Sequence, residues 1–265
     1  MYIIPSIFSD FISPDCDRLA FIQNYLNSAG LEAPVLQMEG KNHVYVKFPQ
    51  RQYNPMFRIK TVIAHYDRIG IGANDNSAAV FCLLQWAAEL IKLNSFHNIR
   101  LIFTDGEELG KGGITEQGAF PLAQVFKRLG ITNDDIFVFD CMGRGDVPVL
   151  TQTQIPRKAS NHFIKEFSLL EQRARNVLQI ASGGKYFCLP CNYSDNASFI
   201  ANGIPAVAIT MLPSEEIDLY LYKGEKPLTW QLFHTQKDNF TSLNPFSFEL
   251  TLRILNVLAR LKTAA

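Results

Sequence analysis

KTVIAHYDRIGIGANDNSAAVFCLLQWAAEL, residues 60–90, decides the fold. Residues 60–64 form a short run that continues into His65 and reads as a buried strand. The loop GIGAND, residues 70–75, follows, with Asp75 at the N-cap of the next helix. Residues 76–93 carry few charges, which predicts a strong and largely buried helix. A buried strand, a loop and a covered helix make the repeating unit of an α/β sheet.

The same alternation extends in both directions. Upstream, residues 15–30 place apolar side chains at helical spacing and stop at Gly30, and residues 43–48 alternate like a half-buried strand. Downstream, strands are predicted over 99–103, 135–139, 147–150, 177–180 and 205–211. Helices are predicted over 117–129, 161–175, 194–202 and 246–261. Residues 212–244, rich in Pro and polar residues, read as irregular. There is no repeat, charge run or Gly/Ser linker, so residues 1–265 read as one α/β domain. Apolar strands alternating with helices imply a mostly parallel sheet covered on both faces. Such sheets bind ligands beyond the carboxyl ends of their strands.

Those ends carry the residues that can do chemistry. His65 closes one strand, and Asp75 lies in the loop that follows it. Glu107 and Glu108 come after the strand over 99–103, and Asp140 ends the strand over 135–139. His234, in the irregular stretch, can reach the same edge. Imidazole and carboxylate donors without thiolate suit a catalytic zinc-type centre, and cobalt or manganese would also be accepted. Two ions need about five such ligands with one carboxylate shared, and His65, Asp75, Glu108, Asp140 and His234 supply them. Asp67, two residues after His65, is placed to accept from the other ring nitrogen and fix the tautomer. Glu107 is left uncoordinated, free to take a proton from water and pass it to a leaving amine.

Each residue also has an ordinary reading. A buried histidine is often a satisfied core residue, Asp75 can be only a helix cap, and the glutamates can be solvated loop acids. Those readings must also account for the gathering of His65 and the acids at strand ends. His43, His97 and His162 have no acidic partners in the sequence pattern and read as structural.

The whole-chain properties narrow the partners. Lys and Arg number 25, as do Asp and Glu, which gives no electrostatic reason to expect nucleic acid or an anionic membrane. No apolar run reaches the roughly 18 residues of a membrane helix. The opening MYIIPSIFSDFISPDCDRL has no basic start, and Asp10 and Asp15 interrupt its apolar stretch. It does not read as a signal peptide, which favours the cytoplasm. Five scattered cysteines fit a reducing compartment, and Cys188-Leu-Pro-Cys191 reads as two small thiols rather than a redox pair.

At these residues the chain resembles the M28 family of di-zinc aminopeptidases. The matching segments are AHYDRIGIGANDNSAAV (64–80), IFTDGEELGKGG (102–113), FDCMGRGD (139–146), SDNASFIANGIPAV (194–207) and FHTQKDN (233–239), in the family's order. The resemblance implies a three-layer α/β/α sandwich with a mixed central sheet, and removal of an N-terminal residue from a peptide. It implies that His65 and Asp140 hold one zinc, Glu108 and His234 the other, and that Asp75 bridges them. Glu107 matches the general base and Asp67 the acid that orients His65. The chain departs from the family pattern at Asn196, where His is frequent, and at Phe233, where some members carry a tyrosine that helps hold the oxyanion. A related branch, the single-zinc glutaminyl cyclases that form N-terminal pyroglutamate, is also similar in DGEE (105–108) and HTQKDN (234–239), with Asp195 in its cyclisation chemistry. That branch usually places tryptophans near its pocket, and only Trp86 and Trp230 occur here. A non-catalytic binding module is a further alternative, but such members lose ligands or the base, and here all are present.

Overall fold

Alternating side chains along the central strands build two separate cores. The computed structural model describes residues 2–265; Met1, included in the one-domain reading, lies outside the described residues. The strands are β1 (Val35–Met38), β2 (Lys41–Val46), β3 (Lys60–His65), β4 (Ile99–Thr104), β5 (Asp135–Phe139), β6 (Val147–Thr151), β7 (Phe187–Leu189) and β8 (Ala206–Leu212). The helices are α1 (Ile7–Ile12), α2 (Arg18–Ser28), α3 (Ala79–Leu90), α4 (Ala119–Arg128), α5 (Asn161–Ala181), α6 (Asn196–Ala201), α7 (Ser214–Lys223), α8 (Leu228–Leu232) and α9 (Pro245–Arg260).

All eight strands join one sheet in the order β1-β2-β4-β3-β5-β8-β6-β7. The centre, β4-β3-β5-β8, is parallel. Towards the edges, β1 with β2, β2 with β4 and β6 with β8 run antiparallel, so the sheet is mixed. Val62, Ala64, Leu101, Phe103, Phe137 and Phe139 face a core shared with α2, α3, α5 and α9. Their neighbours Ile63, Ile102, Ile136 and Val138 face a second core under α4 and α6. The period of two along each strand thus feeds both faces, and the result is a three-layer α/β/α sandwich.

Several elements differ from the sequence reading. Residues 177–180 are the last turn of α5, not a strand. Leu170, Ala174, Val177, Leu178 and Ala181 continue one buried helical stripe to its end. The helix expected over 76–93 begins only at Ala79, after a kinked turn over Ala73–Ala78 in which Asp75 and Asn76 leave helical geometry. Residues 212–244 contain α7 and α8. Arg144 organises them: its Nη2 donates to Glu216 Oε1 at 2.9 Å and its Nε to Thr229 Oγ1 at 2.9 Å. Strands β1 and β7 were not expected. Both are short sheet edges, largely unburied and ordered by pairing with β2 and β6. Cys188 and Cys191 are free thiols, as expected. Among the described residues no helix is long and apolar enough to cross a membrane.

Candidate metal centre

Three adjacent parallel strands deliver the polar residues to one edge. His65 is the last residue of β3, and Asp140 directly follows β5. Glu107 and Glu108 open a short 3-10 turn, Glu107–Gly112, beyond β4. Strands β3 and β4 end level, with His65 paired to Thr104. Asp75 hangs from the kinked turn before α3, and His234 lies just past α8 with a left-handed φ of 61°.

All five candidate ligands come together. His65 Nε2 lies 3.4 Å from Asp75 Oδ1 and 3.5 Å from Asp140 Oδ1. His234 Nε2 lies 3.5 Å from Asp75 Oδ2 and 2.8 Å from Glu108 Oε2. Two triads result, His65/Asp75/Asp140 and Asp75/Glu108/His234, each with its ligand atoms within 4.8 Å of one another. Asp75 belongs to both and turns one oxygen to each. Donor atoms of a tetrahedral zinc with bonds near 2.0–2.1 Å sit about 3.3 Å apart, so the spacing fits. His65 Nε2 and Glu108 Oε1 are buried without a hydrogen-bond partner, which leaves both free to bind an ion.

Asp67 does more than the sequence suggested. His65 Nδ1 lies 3.3 Å from the backbone carbonyl of Asp67 and 3.5 Å from its Oδ1, so the carbonyl is the closer partner and the carboxylate stands beside it. The same carboxylate accepts the backbone N–H groups of Glu107 at 3.1 Å and Glu108 at 3.0 Å. One residue therefore braces both sides of the site, its carbonyl against the histidine and its carboxylate against the glutamate turn. Burial would raise the pKa of Asp67, but His65 and the two amides outweigh it and hold it low. Burial would lower the pKa of His65; the carboxylates of Asp140, Asp67 and Asp75 reverse that and raise it well above the usual value. Glu107 and Glu108 are pushed up, first by burial and then by neighbouring carboxylates, Glu108 to about 8. So much negative charge in a buried space calls for cations.

The loops are latched by residues the sequence reading did not single out. Buried Asp238 accepts from Asn74 N at 2.7 Å and from Asp75 N at 3.0 Å, tying the His234 segment to the shared aspartate. Asn74 Oδ1 accepts from Gly143 N at 2.7 Å, and Asn76 Oδ1 from Cys141 N at 3.0 Å, which ties the same turn to the chain after β5. The only signal for Asp238 was its place four residues after His234 in FHTQKDN. Asp195 is fully buried near the centre, accepts from Thr104 Oγ1 at 2.5 Å, and is pushed up to about 7 by burial. His43 and His97 stay apart as structural residues: His43 Nδ1 accepts from Asp105 N, and His97 Nδ1 from Ile99 N.

A cavity of about 300 Å³ opens over the two triads and is also lined by Tyr193 and Phe233. A smaller recess of about 40 Å³ adjoins it beside Asp140, closed by Trp230 and Phe233. Trp86 is buried in α3, as expected.

Residues 43–258 match Peptidase family M28, and the chain belongs to that family. Solved structures share the fold. The LapA aminopeptidase of Legionella pneumophila is 14% identical with a TM-score of 0.68, over 96% of this chain and 67% of that one. BSAP, a zinc aminopeptidase from Bacillus subtilis, is 18% identical with a TM-score of 0.59, over 82% of this chain and 48% of its own. This chain therefore spans about half of the Bacillus protein. The glutaminyl cyclase of Porphyromonas gingivalis is 18% identical with a TM-score of 0.66, over 96% of this chain and 94% of that one. No curated protein matches the sequence.

Proposed function

We propose that this chain is a zinc-dependent aminopeptidase that binds two ions and removes the N-terminal residue of a peptide. The observation that carries the reading is Asp75, which turns one oxygen to each of two complete ligand triads. His65 and Asp140 would hold one zinc, and Glu108 and His234 the other, with Asp75 shared. Bound there, zinc supplies a Lewis acid that acidifies water and polarises a carbonyl.

The protein's own groups then divide the work. Glu107 lines the cavity without joining either triad, and its carboxylate takes the proton of the attacking water and returns it to the leaving amine. Asp67 holds His65 and the glutamate turn in register, so base and ligand keep their spacing. Tyr193 lines the cavity, and its hydroxyl donates its one proton to Gly110 O at 2.9 Å, which fixes the ring on the cavity wall.

Two observations favour a second reading, a glutaminyl cyclase. The Porphyromonas cyclase is matched along nearly all of its own length, and Trp230 lines the recess beside Asp140. A panel of aminoacyl p-nitroanilides with a glutaminyl peptide, run with zinc counting by mass spectrometry, separates the two. The peptidase reading expects released N-terminal residues and two zinc ions per chain. It also expects Glu107→Gln to keep its zinc and lose about 100-fold or more in turnover. Pyroglutamate as the main product with one zinc per chain would establish the cyclase instead.

A further inference from the structure

Glu107 is held by its backbone through Asp67, but that contact leaves its side chain free to turn. The last torsion of a glutamate is broad and roughly two-fold, so an untethered carboxylate samples many orientations. Here one oxygen is tied. Gln117, only 1% exposed, donates from Nε2 to Glu107 Oε1 at 2.9 Å. Gln117 is itself fixed, because the hydroxyl of fully buried Ser198 in α6 donates to Gln117 Oε1 at 2.7 Å. That second bond sets the amide so that its donor end faces Glu107.

The surroundings reserve space for this side chain. A Cβ on Gly110 would lie 2.9 Å from Gln117 Cγ and 3.1 Å from its Nε2, closer than ordinary contact allows. Glycine at 110 leaves the room that the glutamine occupies. A glutamine after a surface turn is ordinarily solvated; this one is enclosed and spends both ends of its amide on a single chain of contacts, from Ser198 to Glu107.

We propose that Gln117 is a positioning residue for Glu107: it stops rotation of the carboxylate and leaves Oε2 for the proton in flight, with Ser198 setting the amide. The proposal rests on the reading of Glu107 as the base. A misaligned proton acceptor costs rate without altering how substrate binds, because the geometry matters in the transition state.

The test uses Gln117→Met, which keeps length and removes the donor, and Ser198→Ala, which removes one oxygen and carries the test alone if the first variant does not fold. Leucine p-nitroanilide is the substrate, or the glutaminyl anilide if that is what the protein turns over. With zinc content unchanged, kcat is expected to fall about 10- to 100-fold in Gln117→Met with KM within about two-fold, in line with losses from disturbed acid–base groups. Ser198→Ala should cost about three- to ten-fold and add nothing to Gln117→Met, since the two act in one chain. In a Glu107→Gln background, Gln117→Met should leave the residual rate unchanged. Crystal structures of the zinc-loaded proteins give a readout apart from activity: Glu107 in one orientation in the parent, displaced or split in Gln117→Met. A folded, zinc-loaded Gln117→Met with parental kcat, or with Glu107 in the parental orientation, overturns the proposal. A Glu107→Gln variant with near-native turnover overturns the base assignment beneath it, a separate and distinguishable failure.

Discussion

Removing bound metal and raising the pH from about 5 to about 8 should destabilise this protein, because the buried acids of the centre then ionise without cations. Burial pushes Asp238 from 3.8 up to about 6 and Asp195 from 3.8 up to about 7. Glu107 and Glu108 are raised in the same way. An acid with a raised folded-state pKa still holds its proton where the unfolded chain has released it. Its stabilising contribution is therefore complete below the unfolded pKa and lost as pH rises through the folded one. His65, also raised, acts in the same direction above its ordinary value of 6.5. Asp67 and Asp140 are lowered, and their contribution is lost only on acidification below the ordinary 3.8, outside this range. At about 1.4 kcal/mol per pH unit, Asp238 and Asp195 together withdraw about 4 kcal/mol between about pH 5 and 7. For a chain of this size that lowers Tm by about 10 °C. Differential scanning fluorimetry in EDTA across the range reads it directly. With zinc present the fall should vanish, since divalent cations among these carboxylates favour their charged forms. A Tm in EDTA that stays flat or rises from pH 5 to 8 would refute the reasoning.

Asp75→Ala should lose both ions, because it removes a ligand from each triad; zinc counting that finds one full site would show that the triads fill independently. Asp67→Ala should weaken zinc binding about 10- to 100-fold, as loss of a carboxylate behind a ligating histidine does, and the titration of zinc into stripped protein measures it. Phe8→Ala should cost about 3–5 kcal/mol in denaturant unfolding, since the ring is fully buried against Phe81 and Phe248 at 5.2 and 5.5 Å; a loss under about 1 kcal/mol would mean that α1 is not part of the cooperative fold.

The central strands were legible because their apolar runs are buried on both faces, and the candidate ligands because each sits where such a run stops. His65, Asp140 and the Glu107-Glu108 pair needed no more than that rule. Other features were hidden for physical reasons. The apolar run near Val177 looks like a strand in isolation, and only the stripe from Leu170 to Ala181 shows that α5 continues through it. Helices α7 and α8 owe their place to Arg144, about seventy residues or more away in sequence. Asp238 and Gln117 act through side-chain contacts with backbone or carboxylate partners that no local pattern marks.

The level ending of β3 and β4, with β5 on the other flank of β3, makes the sheet a ruler for the centre. Neighbouring strands lie about 4.8 Å apart whatever their sequence, and that pitch separates the groups that His65, Asp140 and the glutamate pair present. The strand lattice thus sets His65 against Asp140, while Asp75, Glu108 and His234 are placed by the turns and loops beyond it.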